Sequence, residues 1–107
     1  KNIYIVSGSS KKNINFLLKK KNINVNGIIS REDTVHSKPH PMPFKLCLEK
    51  YKLKKTETIV IEDAASGIYS AKKNNLKTIG INNKKIQSSV KVYFNNFTYF
   101  LEALKKK

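Results

Sequence analysis

One serine, one lysine and two adjacent carboxylates are the residues of this chain whose types and order could do chemistry together. Ser7 and Gly8 follow the apolar run Ile3-Tyr4-Ile5-Val6, and Lys38 opens the stretch Lys38-Pro39-His40-Pro41. Twenty-four residues after Lys38, Glu62 and Asp63 close a second apolar run, Thr58-Ile59-Val60-Ile61. A hydroxyl and the backbone N–H groups around Gly8, at a helix start, can hold a phosphate oxygen. An ammonium group supplies fixed positive charge, and acids at the C-terminal end of a parallel strand can hold a hard divalent cation such as Mg2+. Phosphoryl transfer calls for these parts, because its charge spreads over phosphate oxygens and catalysis is mostly alignment and charge stabilisation. Each part alone has a plainer reading, as a helix cap, a loop lysine or a solvated turn. Their order and spacing carry the inference.

The elements that must position them alternate between short apolar runs and helical periodicity, the pattern of βα units around a parallel sheet. Strands are expected at residues 3–6, 27–30, 58–61 and 77–81, with a short fifth at 91–94. Ser10 can cap a helix in which Ile14, Leu17 and Leu18 share a face, ending near Lys21. Residues 31–43 hold all three prolines and both histidines and are expected to be loop. Phe44, Cys47, Leu48 and Tyr51 recur at helical spacing, as do Phe97, Phe100, Leu101 and Leu104. Ser66 is expected to cap the helix after the two acids, with Gly67 allowing close packing and Ile68 and Ala71 facing inward. If the first and third strands lie near each other in one sheet, Ser7, Glu62 and Asp63 converge at its edge. The terminal residues 105–107 read as a solvated end.

Composition narrows the alternatives. A length of 107 residues suits one small domain with a modest core. The formal charge of +15 would suit a nucleic-acid binder, but the basic residues are lysines scattered through every segment, with Arg31 the one arginine. That mixture, rich also in Asn and Ile, points to lysines on solvated faces, and no nucleic-acid partner is expected. No apolar run approaches the roughly 20 residues that span a bilayer, and no signal-peptide layout opens the chain, so no membrane partner is expected. Cys47 is the sole cysteine and sits at an apolar helical position, which suits a core residue and a reducing cytoplasm. His36 and His40 both lie in the proline loop beside Lys38, and His40 is read as a loop residue at the site's rim, outside the direct chemistry.

In these motifs the chain resembles the haloacid dehalogenase-like phosphotransferases, in particular their β-phosphoglucomutase-like branch, over nearly all of its length. Ser7 looks like the phosphate-binding residue of the family's second motif, Lys38 in Lys-Pro-x-Pro like the third-motif lysine, and Glu62-Asp63 before Ala-Ala-Ser-Gly-Ile like the acidic fourth motif. The first motif, an Asp-x-Asp that supplies the nucleophile and the general acid/base, does not occur: the aspartates are Asp33 and Asp63. Met42 stands where the family often carries an Asp, and Ala64 where it often carries a Ser.

The resemblance implies a Rossmann-like three-layer α/β/α fold with a parallel sheet. Residues 1–107 would be the C-terminal part of such a core, holding motifs two to four, with nucleophile strand and cap domain elsewhere. It implies a Mg2+-dependent phosphatase or phosphomutase, hydrolysis being the commoner activity in this branch. The substrate would be a small phosphorylated metabolite, attacked through an aspartyl-phosphate on a residue outside this chain. Lys38 would act in catalysis and, with Ser7 and Gly8, in phosphate binding, while Glu62 and Asp63 would hold the metal. The alternative is an inactive fragment serving as an interaction module. Either way, an unpaired sheet edge would favour association with the missing N-terminal half or with a second copy.

Overall fold

Five strands and four helices form among residues 2–105, which the computed structural model describes, with side chains through residue 103. In chain order they are β1 (Tyr4–Val6), α1 (Lys11–Lys20), β2 (Gly27–Ile29), α2 (Met42–Lys50), β3 (Ile59–Glu62), α3 (Ala65–Lys73), β4 (Lys77–Ile81), β5 (Val92–Phe94) and α4 (Phe97–Lys105). Short 3-10 turns lie at Arg31–Asp33, Lys55–Glu57 and Lys84–Ser89. Every strand pair is parallel, as expected where helices carry the chain back between strands. The architecture is Rossmann-like α/β, and it is incomplete relative to a full core of that type.

The strands do not join into one sheet. β1 pairs with β2 alone, while β3, β4 and β5 form a second sheet in that order, so the expected neighbours β1 and β3 share no ladder. Among the described residues each instead keeps one unpaired edge. Ser7 N–H donates to Ile29 O at 2.9 Å, so the β1 edge facing β2 is defined, and the Val6 carbonyl, one residue earlier, faces away from it. Helices α2 and α3 join the two sheets. Phe44 and Leu48 of α2, Ala71 of α3, Val60 of β3 and Leu76 form the buried cluster, and Val6 of β1 packs against it.

Four expectations are corrected. The helix after the acids starts at Ala65 with Ala64 in the cap position and no side-chain cap, so Ser66 lies inside the first turn. Residues 31–43 are not all loop: Arg31–Asp33 is a 3-10 turn, and α2 begins at Met42, with Pro43 in the first turn, where a missing N–H costs nothing. Tyr51 closes α2 instead of extending its stripe, and its hydroxyl bonds to Ile28. Leu17 is 54% exposed, so the inward face of α1 is carried by Ile14, with Leu18 half-buried. Other elements stand within a residue of expectation, and Ser10 Oγ does cap α1 by accepting from Asn13 N–H. Phe100 of α4 is buried, while Phe97 and Leu101 are exposed and the side chain of residue 104 lies outside the described residues, as do residues 106 and 107.

Candidate active site

Lys38 spans the break between the two sheets. Its Nζ donates to the Val6 carbonyl at 2.9 Å and to Glu62 Oε2 at 2.8 Å, so one ammonium group touches the ends of β1 and β3 together. The pair is largely buried, with 20% of the lysine and 11% of the glutamate side chain exposed. The lysine also lies over the Phe44 ring, 5.0 Å from its centroid, where the negative ring face favours a cation. An ammonium with three donors and two bound acceptors keeps one donor for a third partner.

Glu62 is engaged at both oxygens. Oε2 accepts from Lys38, and Oε1 accepts from the backbone N–H groups of Asp63 (3.2 Å) and Ala64 (3.4 Å). The carboxylate thus satisfies the two backbone N–H groups that lead into α3, while no side chain caps the N–H groups of the helix's first turn. Asp63 differs. It is exposed, its carbonyl accepts from Asn83 Nδ2 at 3.0 Å, and among the described residues its carboxylate makes no hydrogen bond or ion pair.

The Ser7 loop is tied down by its neighbour in the first sheet. Ser7 Oγ accepts from Ser9 N–H at 3.1 Å, the Ser9 carbonyl accepts from Arg31 N–H at 2.9 Å, and Glu32 Oε1 accepts from Lys11 N–H at 2.9 Å. The Lys11 N–H, with Glu32's own backbone N–H, holds the Glu32 carboxyl below the usual carboxylate range. Asp33 fixes the same turn from below. Its Oδ2 accepts from Ser30 N–H (2.7 Å) and from the fully buried Ser30 hydroxyl (2.8 Å), which lowers its pKa as well. A side chain at Gly8 would meet nothing within 4 Å, so the loop tip is open to an approaching group.

The proline loop is fastened to α3. The buried Ser70 hydroxyl donates to the His40 carbonyl at 2.6 Å, and the buried Asn74 carboxamide donates to the Pro41 carbonyl at 2.9 Å. His40 Nδ1 accepts from Met42 N–H at 3.0 Å and so caps α2, while its ring stacks on His36 with centroids 4.0 Å apart. Sequence reasoning missed Ser70, Asn74, Phe44 and the Val6 carbonyl as parts of this site. Only polar side chains on the inward face of an otherwise apolar helix could have flagged the first two.

The structure therefore brings Lys38 and Glu62 into direct contact; Asp63 directly follows Glu62 at the end of β3, and the Ser7-Gly8 turn directly follows Val6, the lysine's other acceptor, at the end of β1. Oxygen donors from two acids suit one side of a Mg2+ ion, which favours carboxylates and keeps several waters. Of the two, Asp63 has its carboxylate free among the described residues, whereas Glu62 is committed to Lys38 and to α3. No cluster of three or more His, Cys, Asp or Glu residues that could hold a metal occurs among the described residues. Cys47 of α2 is buried, and desolvation pushes its thiol up to about 11, which removes it from nucleophile chemistry. A cavity of about 880 Å³ lies away from the site, between α4 and the sheet face carrying Ile79 and Val92.

Residues 1–81 match the sequence model of the haloacid dehalogenase-like hydrolases. The chain belongs to that family. Solved structures of similar fold include a β-phosphoglucomutase from Clostridium difficile (24% identity, TM-score 0.78, covering 98% of this chain and 49% of that one). A haloacid dehalogenase-superfamily hydrolase from Ehrlichia chaffeensis is also similar (24% identity, TM-score 0.81, 98% and 50% covered). So is CbbY from Rhodobacter sphaeroides, solved in complex with phosphate (17% identity, TM-score 0.78, 90% and 47% covered). The chain spans about half the length of these haloacid dehalogenase-like structures. No curated protein matches it. No helix among the described residues is long and apolar enough to cross a membrane.

Proposed function

We propose that these residues form the phosphate-handling part of a Mg2+-dependent phosphatase that acts on a small phosphorylated metabolite in the cytoplasm. The observation that carries this reading is the Lys38 ammonium, held between the ends of β1 and β3 by Val6 O and Glu62 Oε2 with a donor to spare. Lys38 would offset charge on the transferred phosphoryl group, and the Ser7 hydroxyl with the Gly8 backbone would hold its oxygens. Asp63, with Glu62 behind it, would hold Mg2+, which when bound neutralises phosphate charge. The nucleophile, an aspartate that becomes an aspartyl-phosphate, would come from outside these 107 residues.

The unpaired edges of β1 and β3 support a partner of matching form, a strand carrying that aspartate, from a longer version of the same protein or a separate half. Exposed Ile59 and Ile61 on β3 give such a partner apolar surface to cover. A second copy of this chain is the competing occupant. Size-exclusion chromatography of the 107-residue chain separates the two: a monomer that becomes a defined heterodimer with the N-terminal half supports the first, and a stable homodimer the second.

The reading is tested on a protein that includes an N-terminal half with Asp-x-Asp. It should hydrolyse a generic phosphomonoester only with Mg2+, and Lys38→Ala or Asp63→Ala should lower turnover by about a hundredfold or more. Undiminished turnover in either variant rejects the role of the residue it replaces.

A further inference from the structure

We infer that Ser70 of α3 and Asn74, which caps the C-terminal end of that helix, are positioning residues for Lys38, holding through the His40 and Pro41 carbonyls the loop from which the lysine reaches the site. The inference rests on the phosphate-handling role of Lys38 and adds two side chains that neither the motifs nor the family match assigns.

Ser70 and Asn74 are one helical turn apart on the same face, and both are buried, Ser70 fully and Asn74 to 5% exposure. Their neighbours on that side, Ile68 and Ala71, are apolar, so packing alone would accept apolar residues at both positions. A buried hydroxyl or carboxamide costs stability unless it is bonded, and these are bonded. Ser70 Oγ donates to His40 O at 2.6 Å, and Asn74 Nδ2 donates both to Pro41 O at 2.9 Å and to Ser70 O at 3.1 Å. Two consecutive carbonyls, two and three residues after Lys38, are thereby fixed to one helix.

The consequence for Lys38 is geometric. A lysine side chain has several free torsions, so a pair as short as 2.8 Å persists only when both ends are held. The far end is held by Glu62, whose other oxygen accepts from the first N–H groups leading into α3. The near end is held by Ser70 of the same helix and by Asn74 at its C-terminal cap. Donor and acceptor of the ion pair are thus referred to one rigid element, and the ammonium keeps its place as long as α3 keeps its bonds to the loop.

The test is the rate at which each lysine of the folded chain is acetylated by acetic anhydride, read by peptide mass spectrometry. In the unaltered chain Lys38 should react slowly, and Glu62→Gln sets the rate of a released ammonium. Ser70→Ala with Asn74→Leu should speed Lys38 about tenfold, the equivalent of one lost hydrogen bond, while the exposed Lys45 on α2 stays within about twofold. Ser70→Ala alone adds no volume and favours helix, so it carries the test if the double variant fails to fold. An unchanged Lys38 rate, or an equal rise at every lysine, overturns the positioning role. Labelling needs no turnover, so it can fail while Lys38→Ala still abolishes activity, or succeed while Lys38 proves dispensable for phosphoryl transfer.

Discussion

The Glu62 carboxylate lies where a side chain at Gly67 would be. A methyl group built on Gly67 would overlap the carboxyl group of Glu62, so the glycine exists to let that acid fold back across the first turn of α3. Intrinsic propensity makes Gly67→Ala favourable in a helix by about 1 kcal/mol. The overlap reverses the sign. We expect Gly67→Ala to lower stability by about 1–3 kcal/mol through overpacking, and to displace Glu62 from Lys38. Urea denaturation gives the first number, and a stabilised variant would show that Glu62 has room to move.

Breaking the Lys38–Glu62 pair from the lysine side strands a carboxylate that is only 11% exposed. Lys38→Met should cost about 2–3 kcal/mol, less than for a fully buried pair because some water reaches both groups. Adding Glu62→Gln should recover part of that loss, since the stranded charge is removed. A thermodynamic cycle over the four proteins measures the coupling, and strict additivity would mean that the pair contributes nothing.

Acid should loosen the proline loop before it disturbs the rest. The His40 pKa is lowered from its ordinary 6.5, first by desolvation and then by the charges of His36 and Lys73. A depressed basic group favours the neutral form when folded, so the unfolded chain binds the proton more readily. Its contribution is therefore full above about pH 6.5 and is lost as pH falls through that value toward the lowered one. Protonation also removes the Nδ1 acceptor from Met42 N–H, which uncaps α2. Melting temperature should fall between about pH 7 and pH 5, and His40→Asn should flatten that part of the curve. Asp33 and Glu32, with lowered values, add their own loss only below the ordinary carboxylate range.

Tyr51 joins α2 to β2. Its hydroxyl accepts from Ile28 N–H at 3.0 Å and donates to Ile28 O at 3.3 Å, and its ring lies where a side chain on Gly27 would be. Tyr51→Phe should cost about 1–2 kcal/mol, because two half-buried backbone groups lose their partner. Hydrogen exchange at Ile28 N–H should accelerate in that variant, and an unchanged rate would show that water replaces the hydroxyl at no cost.

Much of this molecule is legible one segment at a time. Strand and helix identities follow from local periodicity, so β4 is expected with its observed bounds and β1, β2, β3 and β5 within a residue. The Ser10 cap of α1 is equally local. Ser66 misleads because a serine near a helix start is a local signal, whereas the helix starts one residue earlier, with Ala64 in the cap position and the N–H groups before it bonded to the Glu62 carboxylate. Ser70 and Asn74 are invisible for the same reason: their partners lie 30 and 33 residues away.

The order of hydroxyl, lysine and acids after particular strands carries the resemblance to the haloacid dehalogenase-like family, to which the match over residues 1–81 assigns the chain. Tertiary structure alone decided that β1 and β3 stand in separate sheets with Lys38 across their ends, and that Glu62 serves a lysine and a helix while Asp63 stays open. Periodicity encodes which face of an element is apolar, but which ladder forms and which oxygen meets which donor depend on residues brought together only by packing.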